Sequence, residues 1–231
     1  MSSTANPNHF DAKNAASYDT RWAPLAPLRD SLHLQIGLIL RPLPAEARIL
    51  CVGVGTGAEI IALARRFPDW RFLASDPSAP MLDICRQRLA AEGIADRCEF
   101  HQAYVQELPT GAAFDAATAL LVSHFITQRE PRIEFFRGIA ARLRPQGLLI
   151  SADLSRSATG QHERLLLVWQ EMMRHAGASE EQVAAMLESY GRSVSILTTA
   201  EIEDLLTAAG FGPPVQFAQS LLIHAWFAQR T

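Results

Sequence analysis

The sequence predicts an α/β fold built on a doubly wound sheet of about seven strands, mostly parallel, with an antiparallel strand at the C-terminal end. Three observations predict it. Short apolar runs alternate with helical patterns through the middle of the chain, which is the rhythm of parallel strands joined by crossover helices. A turn dense in glycine, residues 53–57, separates the first apolar run from the first helical pattern. Two strand-like runs near the end are joined too tightly for a crossover helix, so that pair is antiparallel.

The elements follow in order. Residues 1–44 form an N-terminal helical cap, with one helix ending near Asp19 and another from about Leu25 to Leu40. Residues 45–153 form the core: a strand from Arg48 to Gly53, a helix from Glu59 to Phe67 closed by Pro68, a strand from Arg71 to Ser75 and a helix from Ala79 to Glu92. Gly93 is placed to take a left-handed C-terminal cap. Cys98 to Gln102, Phe114 to Leu121 and Leu148 to Ala152 supply three further strands, giving five parallel ones, and Pro131 suits the first turn of the helix running to Leu143. In residues 154–197 the rhythm breaks, because Gln161 to His175 and Ser179 to Tyr190 are helical patterns with no strand between them, as expected of an inserted lid. In residues 198–231, Thr198 and Glu201 form a capping box for a helix to Ala209, which Gly210 ends. Pro213 to Phe217 and Ser220 to Phe227 are the antiparallel pair, and the whole is read as one domain.

Composition narrows the function. A chain of 231 residues, 48% hydrophobic, suits one sizeable core and not two enzyme domains. A net charge of -3 offers no general attraction to phosphodiester backbones, so a small-molecule partner is favoured over nucleic acid, and a homodimer stays open. Lys13 is the sole lysine, and the arginines are scattered through helical patterns. The three cysteines, Cys51, Cys85 and Cys98, have no metal-type spacing, which suits a reducing, cytoplasmic setting. Met1 to Lys13 lacks the features of a secretion signal, and the apolar stretch Leu32 to Leu40 is too short to span a membrane.

Chemistry concentrates at two places. The segment Cys51-Val-Gly53-Val54-Gly55-Thr-Gly57-Ala58-Glu59 joins a strand to a helix, where missing Cβ atoms let a ligand approach the backbone. Gly53, Gly55 and Ala58 also satisfy the spacing of a nicotinamide-binding turn, and a tight structural turn would look the same. Asp76 follows Gly53 by 23 positions, at the end of the second strand, where a carboxylate can accept from two ribose hydroxyls or cap the next helix.

Four ordered segments carry a resemblance: Ile49 to Gly57, Ala74-Ser-Asp-Pro-Ser-Ala-Pro-Met-Leu82, Phe114 to Leu121, and Leu143-Arg-Pro-Gln-Gly-Leu-Leu-Ile150. Together they resemble the class I methyltransferases that use S-adenosylmethionine (SAM), whose fold is Rossmann-like. The resemblance covers residues 45–153, and Thr199 to Phe211 with the antiparallel pair is similar to the family's last motif. The layout resembles the carboxy-SAM synthase branch through Phe10-Asp11, Tyr18-Asp19, Val122-Ser-His-Phe-Ile126 and Ala185-Met-Leu-Glu188. By position, the resemblance implies that Gly53 and Gly55 line the methionine part of SAM, with Val54 and Gly57 also binding the cofactor. Asp76 and Pro77 take the ribose, Met81, Tyr104 and Val105 the adenine, and Leu120 and Leu121 offer backbone contacts. Tyr18 and Arg21 would close over the cofactor, the guanidinium pairing its carboxylate.

Three departures stand out. Cys51 replaces an acid common before the glycines, Tyr104 replaces an Asp that meets adenine, and Ala184 stands where a carboxy-SAM synthase carries an arginine. Without that cation an added carboxylate would be buried unpaired, so ordinary methyl transfer is expected. His124, at the exit of the fourth strand, is the first candidate for general base, and Asp153, at the exit of the fifth, the second. Trp169, Met172, Met173 and His175 on the lid could wall an acceptor pocket, although an apolar stripe is also how any helix docks on a core. His101, His162 and His175 lack metal-ligand spacing, so no metal is expected. The competing functions are an NAD(P)-dependent oxidoreductase, a non-catalytic SAM-binding regulator and a carboxy-SAM synthase-like enzyme.

Overall fold

The computed structural model describes residues 12–111, 114–157 and 160–231. Helices α1 (Ala12–Trp22) and α2 (Ala26–Ile39) form the cap, joined by a single 3-10 turn that Pro24 opens. The core alternates β1 (Arg48–Val52), α3 (Ala58–Arg66), β2 (Arg71–Ser75), α4 (Ala79–Ala91), β3 (Cys98–His101), β4 (Phe114–Leu120), α5 (Arg129–Ala140) and β5 (Leu143–Arg156). Lid helices α6 (His162–His175) and α7 (Glu180–Ser189) follow, then β6 (Leu197–Thr198), α8 (Thr199–Ala208), β7 (Val215–Ser220) and β8 (Ile223–Gln229).

The sheet runs β3-β2-β1-β4-β5-β8-β7. Its first five strands are parallel, and β8 lies antiparallel to both β5 and β7. The order reverses between β1 and β4, so their C-terminal ends open the crevice where ligands bind in sheets of this kind. Alternate residues of each strand face opposite layers. Leu50, Val52 and Ala117 pack with α5 and α8, whereas Ile49, Cys51 and Ala116 pack with α2, α3 and α4. A third apolar cluster, around Trp169 and Met173, lies under the lid.

Two expectations need correcting. The fifth strand begins at Leu143, not Leu148, because the chain bulges: Phe114 pairs with Leu143 but Ala116 with Leu148, and Gln146 takes a φ of +66° to absorb the extra residues. An eighth, two-residue strand, β6, pairs Leu197 and Thr198 with Ser155 and Arg156. Periodicity cannot announce an element that short. The caps formed as read: the Thr198 hydroxyl accepts from the Glu201 amide at 3.2 Å while Glu201 accepts from the Thr198 amide at 2.7 Å, and Gly93 and Gly210 are left-handed.

Candidate active site

The glycine loop and Asp76 meet at the crevice. Gly53, Gly55 and Gly57 all take positive φ, at +65°, +54° and +79°, a backbone that side-chain-bearing residues rarely adopt. Their surroundings differ. A Cβ on Gly53 would lie 2.5 Å from a Val122 methyl and one on Gly57 2.5 Å from the Cys85 sulfur, so these two are also fixed by packing. A Cβ on Gly55 would meet nothing within 4 Å. Gly53 and Gly57 therefore shape the loop from below, and Gly55 keeps its outer side bare.

Asp76 fixes that loop to β2. Its Oδ2 accepts the Gly55 amide at 2.9 Å and its Oδ1 the Ser78 amide at 2.8 Å. Each oxygen keeps a second lone pair, so the carboxylate retains the capacity to accept two hydroxyl hydrogen bonds. Burial pushes its pKa up, while the amides of Ser78 and Gly55 oppose that shift. A bare backbone beside a preorganised carboxylate leaves room for a ligand at the loop and two acceptor positions for vicinal hydroxyls. Val54 and Met81 are buried beside this turn, Val105 is buried below β3, and Pro77 is exposed.

Helix α1 reaches the same place. Tyr18 is half-buried, and its hydroxyl pKa is raised by burial first and then by the charges of Asp19 and Asp76. Asp19 accepts the Thr56 hydroxyl at 2.9 Å and pairs with Arg88 of α4 at 3.0 Å, while Arg88 also donates to the Thr56 carbonyl at 2.9 Å. This three-way tie between α1, the glycine loop and α4 was not foreseen. Thr56 lies inside the glycine motif, but no spacing rule links it to Arg88. Arg21 is exposed at the end of α1. Phe10 and Asp11 lie outside the described residues.

The second cluster sits where β4 and β5 end. Leu120 closes β4, Leu121 takes a left-handed φ of +59°, and its amide is held by the Ala152 carbonyl at 2.7 Å. His124 follows in a 3-10 turn and is 5% exposed. Its Nδ1 lies 2.6 Å from Asp153 Oδ1, which also accepts the His124 amide at 3.0 Å. The other Asp153 oxygen pairs with Arg132 of α5 at 2.8 Å and accepts from the Ser123 hydroxyl. Asp153 is 0% exposed. Burial alone would raise its pKa, but Arg132, His124 and Ser123 together hold it down at about 2.

Both oxygens of Asp153 are thus occupied, one by His124 and the other by Arg132 and Ser123. A buried carboxylate with those partners is the counter-ion of the cluster. With Nδ1 donating to Asp153, the lone pair of His124 falls on Nε2. Arg132 and Ser123 were missed in the sequence, where an arginine on a helix is by default a solvated one.

Tyr104 caps its own turn, its amide donating to Glu107 at 2.8 Å. On the lid, Trp169 and Met173 are buried, Met172 is half-buried and His175 is exposed, so only the first three belong to the apolar cluster. Half-buried Trp22, Leu121 and Phe125 pack against it, which brings the lid to the rim of the crevice. Among the described residues no three His, Cys, Asp or Glu side chains gather as metal ligands, and no helix is long and apolar enough to cross a membrane.

Comparison with known proteins agrees with this geometry. Residues 49–147 match the family described as a methyltransferase domain. Erythromycin 3''-O-methyltransferase of Saccharopolyspora erythraea is 32% identical over 108 residues, 46% of this chain but 34% of that protein, so the chain spans about a third of this relative's length. Carboxy-S-adenosyl-L-methionine synthase of Campylobacter hominis is 24% identical over 204 residues, covering 87% of this chain and 86% of that one. A solved structure from Nostoc punctiforme, described as a candidate O-methyltransferase, superposes with a TM-score of 0.69 at 16% identity, covering 95% of this chain and 59% of the other. The glycine loop and the acid at the end of β2 fall inside the matched segment, so residues 49–147 are similar to a methyltransferase domain, and the strand order is that of the solved methyltransferase structure.

Proposed function

We propose that this protein transfers the methyl group of SAM to a small-molecule acceptor through oxygen, nitrogen or sulfur, with His124 as the base when the acceptor must lose a proton. The observation that carries this reading is the His124–Asp153 pair, 2.6 Å apart, at the end of the strand beside the SAM crevice and at the foot of the lid. SAM supplies an electrophilic methyl on a sulfonium, so no covalent enzyme intermediate is required. The glycine loop and Asp76 hold the cofactor, Leu120 and Leu121 offer backbone groups, and Tyr18 covers the ribose acid. Arg21, exposed at the end of α1, is left with the weakest claim to the carboxylate. Asp153 keeps the imidazole in the tautomer whose Nε2 accepts, and it stabilises the imidazolium that forms. Apolar walls at Trp22, Phe125 and Trp169 exclude water and favour a small organic acceptor over a polyanion.

The test is turnover with a panel of small hydroxyl, amine and thiol acceptors. His124→Asn should lower kcat on hydroxyl acceptors roughly 100- to 10,000-fold and leave the Kd for SAM unchanged. A variant as active as the parent across that panel removes His124 from the mechanism. Tight SAM binding with no turnover on any acceptor would favour a regulatory SAM-binding protein.

A second reading has one observation behind it, the similarity to carboxy-SAM synthases over nearly the whole chain. Ala184, exposed on α7, supplies no cation for the extra carboxylate. Mass spectrometry of the copurified cofactor separates the two, since carboxy-SAM carries an added carboxyl group.

A further inference from the structure

The site contains a carboxyl group that the mechanism above does not use. Glu59 lies in the first turn of α3, directly after the glycine loop, and is 7% exposed. It turns inward to the sheet: the Thr118 hydroxyl of β4 donates to its Oε1 at 2.6 Å, and the Cys51 thiol of β1 is a second hydrogen-bond partner. Cys51 and Thr118 are register partners on the two strands that flank the crevice. Cys85 of α4, whose sulfur underlies Gly57, lies close enough for the Glu59 charge to raise the pKa of its thiol. The groups that act on Glu59 are therefore the Thr118 hydroxyl and the Cys51 thiol, and among the described residues no cation joins them. Both thiols stay protonated, Cys51 with its pKa raised by burial and Cys85 pushed up to about 12.

A carboxylate buried without a cation is costly, so the free protein favours the neutral acid. Burial lifts the Glu59 pKa to about 7, against the opposing hydrogen bonds of Thr118 and Cys51. The position matters as much as the burial. Cys51 closes on Glu59 from β1, just before the glycines. Glu59 thus brings a carboxyl group beneath the loop from the first turn of α3.

We infer that Glu59 is the internal counter-charge of the cofactor site: it is neutral in the free protein and ionises when cationic SAM binds, so that SAM is held more tightly than its uncharged demethylated product. The inference rests on the glycine loop being the SAM site. SAM carries a sulfonium, an ammonium and a carboxylate, and so has one net positive charge; the product has lost the sulfonium charge and is neutral overall. A cation above the loop favours the anionic form of Glu59 and expels its proton to solvent. Loss of the charge after methyl transfer lets the proton return, which weakens the hold on the product.

Titration calorimetry tests this without any acceptor. SAM is titrated into the full chain near pH 6.5 in two buffers of different ionisation enthalpy, and the slope gives the protons released. Wild type should release about half a proton more than Glu59→Gln, which mimics the neutral acid, and its Kd for SAM should weaken up to roughly tenfold more than the variant's as pH falls by one unit below 7. The ligand's amine titrates nearby, so the difference between the two proteins is the measured quantity. The demethylated product should show a smaller difference. Equal proton release by wild type and variant, or an equal difference for SAM and product, overturns the inference. Absence of SAM binding by wild type at every pH would instead overturn the assignment of the loop, a separate result.

Discussion

At the scale of single residues, the three loop glycines make distinguishable demands. Gly57→Ala meets both a left-handed backbone and a sulfur 2.5 Å away, whereas Gly55→Ala meets the backbone penalty alone. Thermal or urea unfolding should find Gly57→Ala destabilised by roughly 2–4 kcal/mol and Gly55→Ala by about 1 kcal/mol. The cofactor should rank them the other way for bulk. Gly55→Arg fills the open side of the loop and should abolish SAM binding in a protein that still unfolds cooperatively. Equal destabilisation by the two alanines would show that the packing under Gly57 is unimportant. What the sequence made legible at this scale was the residues whose type alone restricts their use: glycines at a strand-to-helix turn, and an acid at the end of the next strand. Arg132 and Ser123 were not legible, because their roles depend on β5 bringing Asp153 beneath them, a contact between segments 21 and 30 residues away.

At the scale of elements, helix α1 is fastened through few groups. Asp19, Thr56 and Arg88 form the tie, and the Arg88–Asp19 pair is about a third exposed on both sides, so it contributes modestly by itself. Asp19→Asn removes the charge and should leave global stability within about 1 kcal/mol. It should also raise hydrogen exchange in residues 12–22 and speed SAM dissociation several-fold. Unchanged exchange in that helix would mean that apolar packing around Trp22 and Leu25 holds it without the tie. Helix boundaries were readable where caps and breakers have local chemistry, as at Thr198 and Gly93, whereas the helix expected to run to Leu143 ends at Ala140 because Leu143 already opens β5. The bulge in β5 and the two-residue β6 were not, since both are set by what the neighbouring strand does.

At the scale of the whole molecule, two buried acids give stability opposite pH dependences. Asp153 has a folded pKa of about 2, below its unfolded value, so its contribution is fully present above pH 4 and is lost as pH falls through about 2. Glu59 is raised to about 7, so the folded state holds its proton longer than the unfolded chain, and stability declines as pH rises from about 4.5 to 7. Urea unfolding from pH 4.5 to 8 should show that decline, at most about 3 kcal/mol, in wild type and not in Glu59→Gln. Arg132→Met should cost about 3–5 kcal/mol near neutral pH by leaving Asp153 charged and poorly paired, and the cost should shrink in acid as Asp153 is protonated. A cost independent of pH would point to lost packing alone.

The stretch returning from the lid is bound from both sides: the Ser195 amide donates to the His124 carbonyl at 2.8 Å, and Arg132 reaches the Ser195 carbonyl at 3.3 Å. Ser155, two residues beyond Asp153, donates its hydroxyl to the Leu197 carbonyl at 2.9 Å. The stretch that follows α7 is thus tied to the backbone of His124 and to Arg132, the cation paired with Asp153. The backbone beneath the proposed base is thereby fastened independently of α6 and α7, and what those helices carry above it can change without shifting the imidazole.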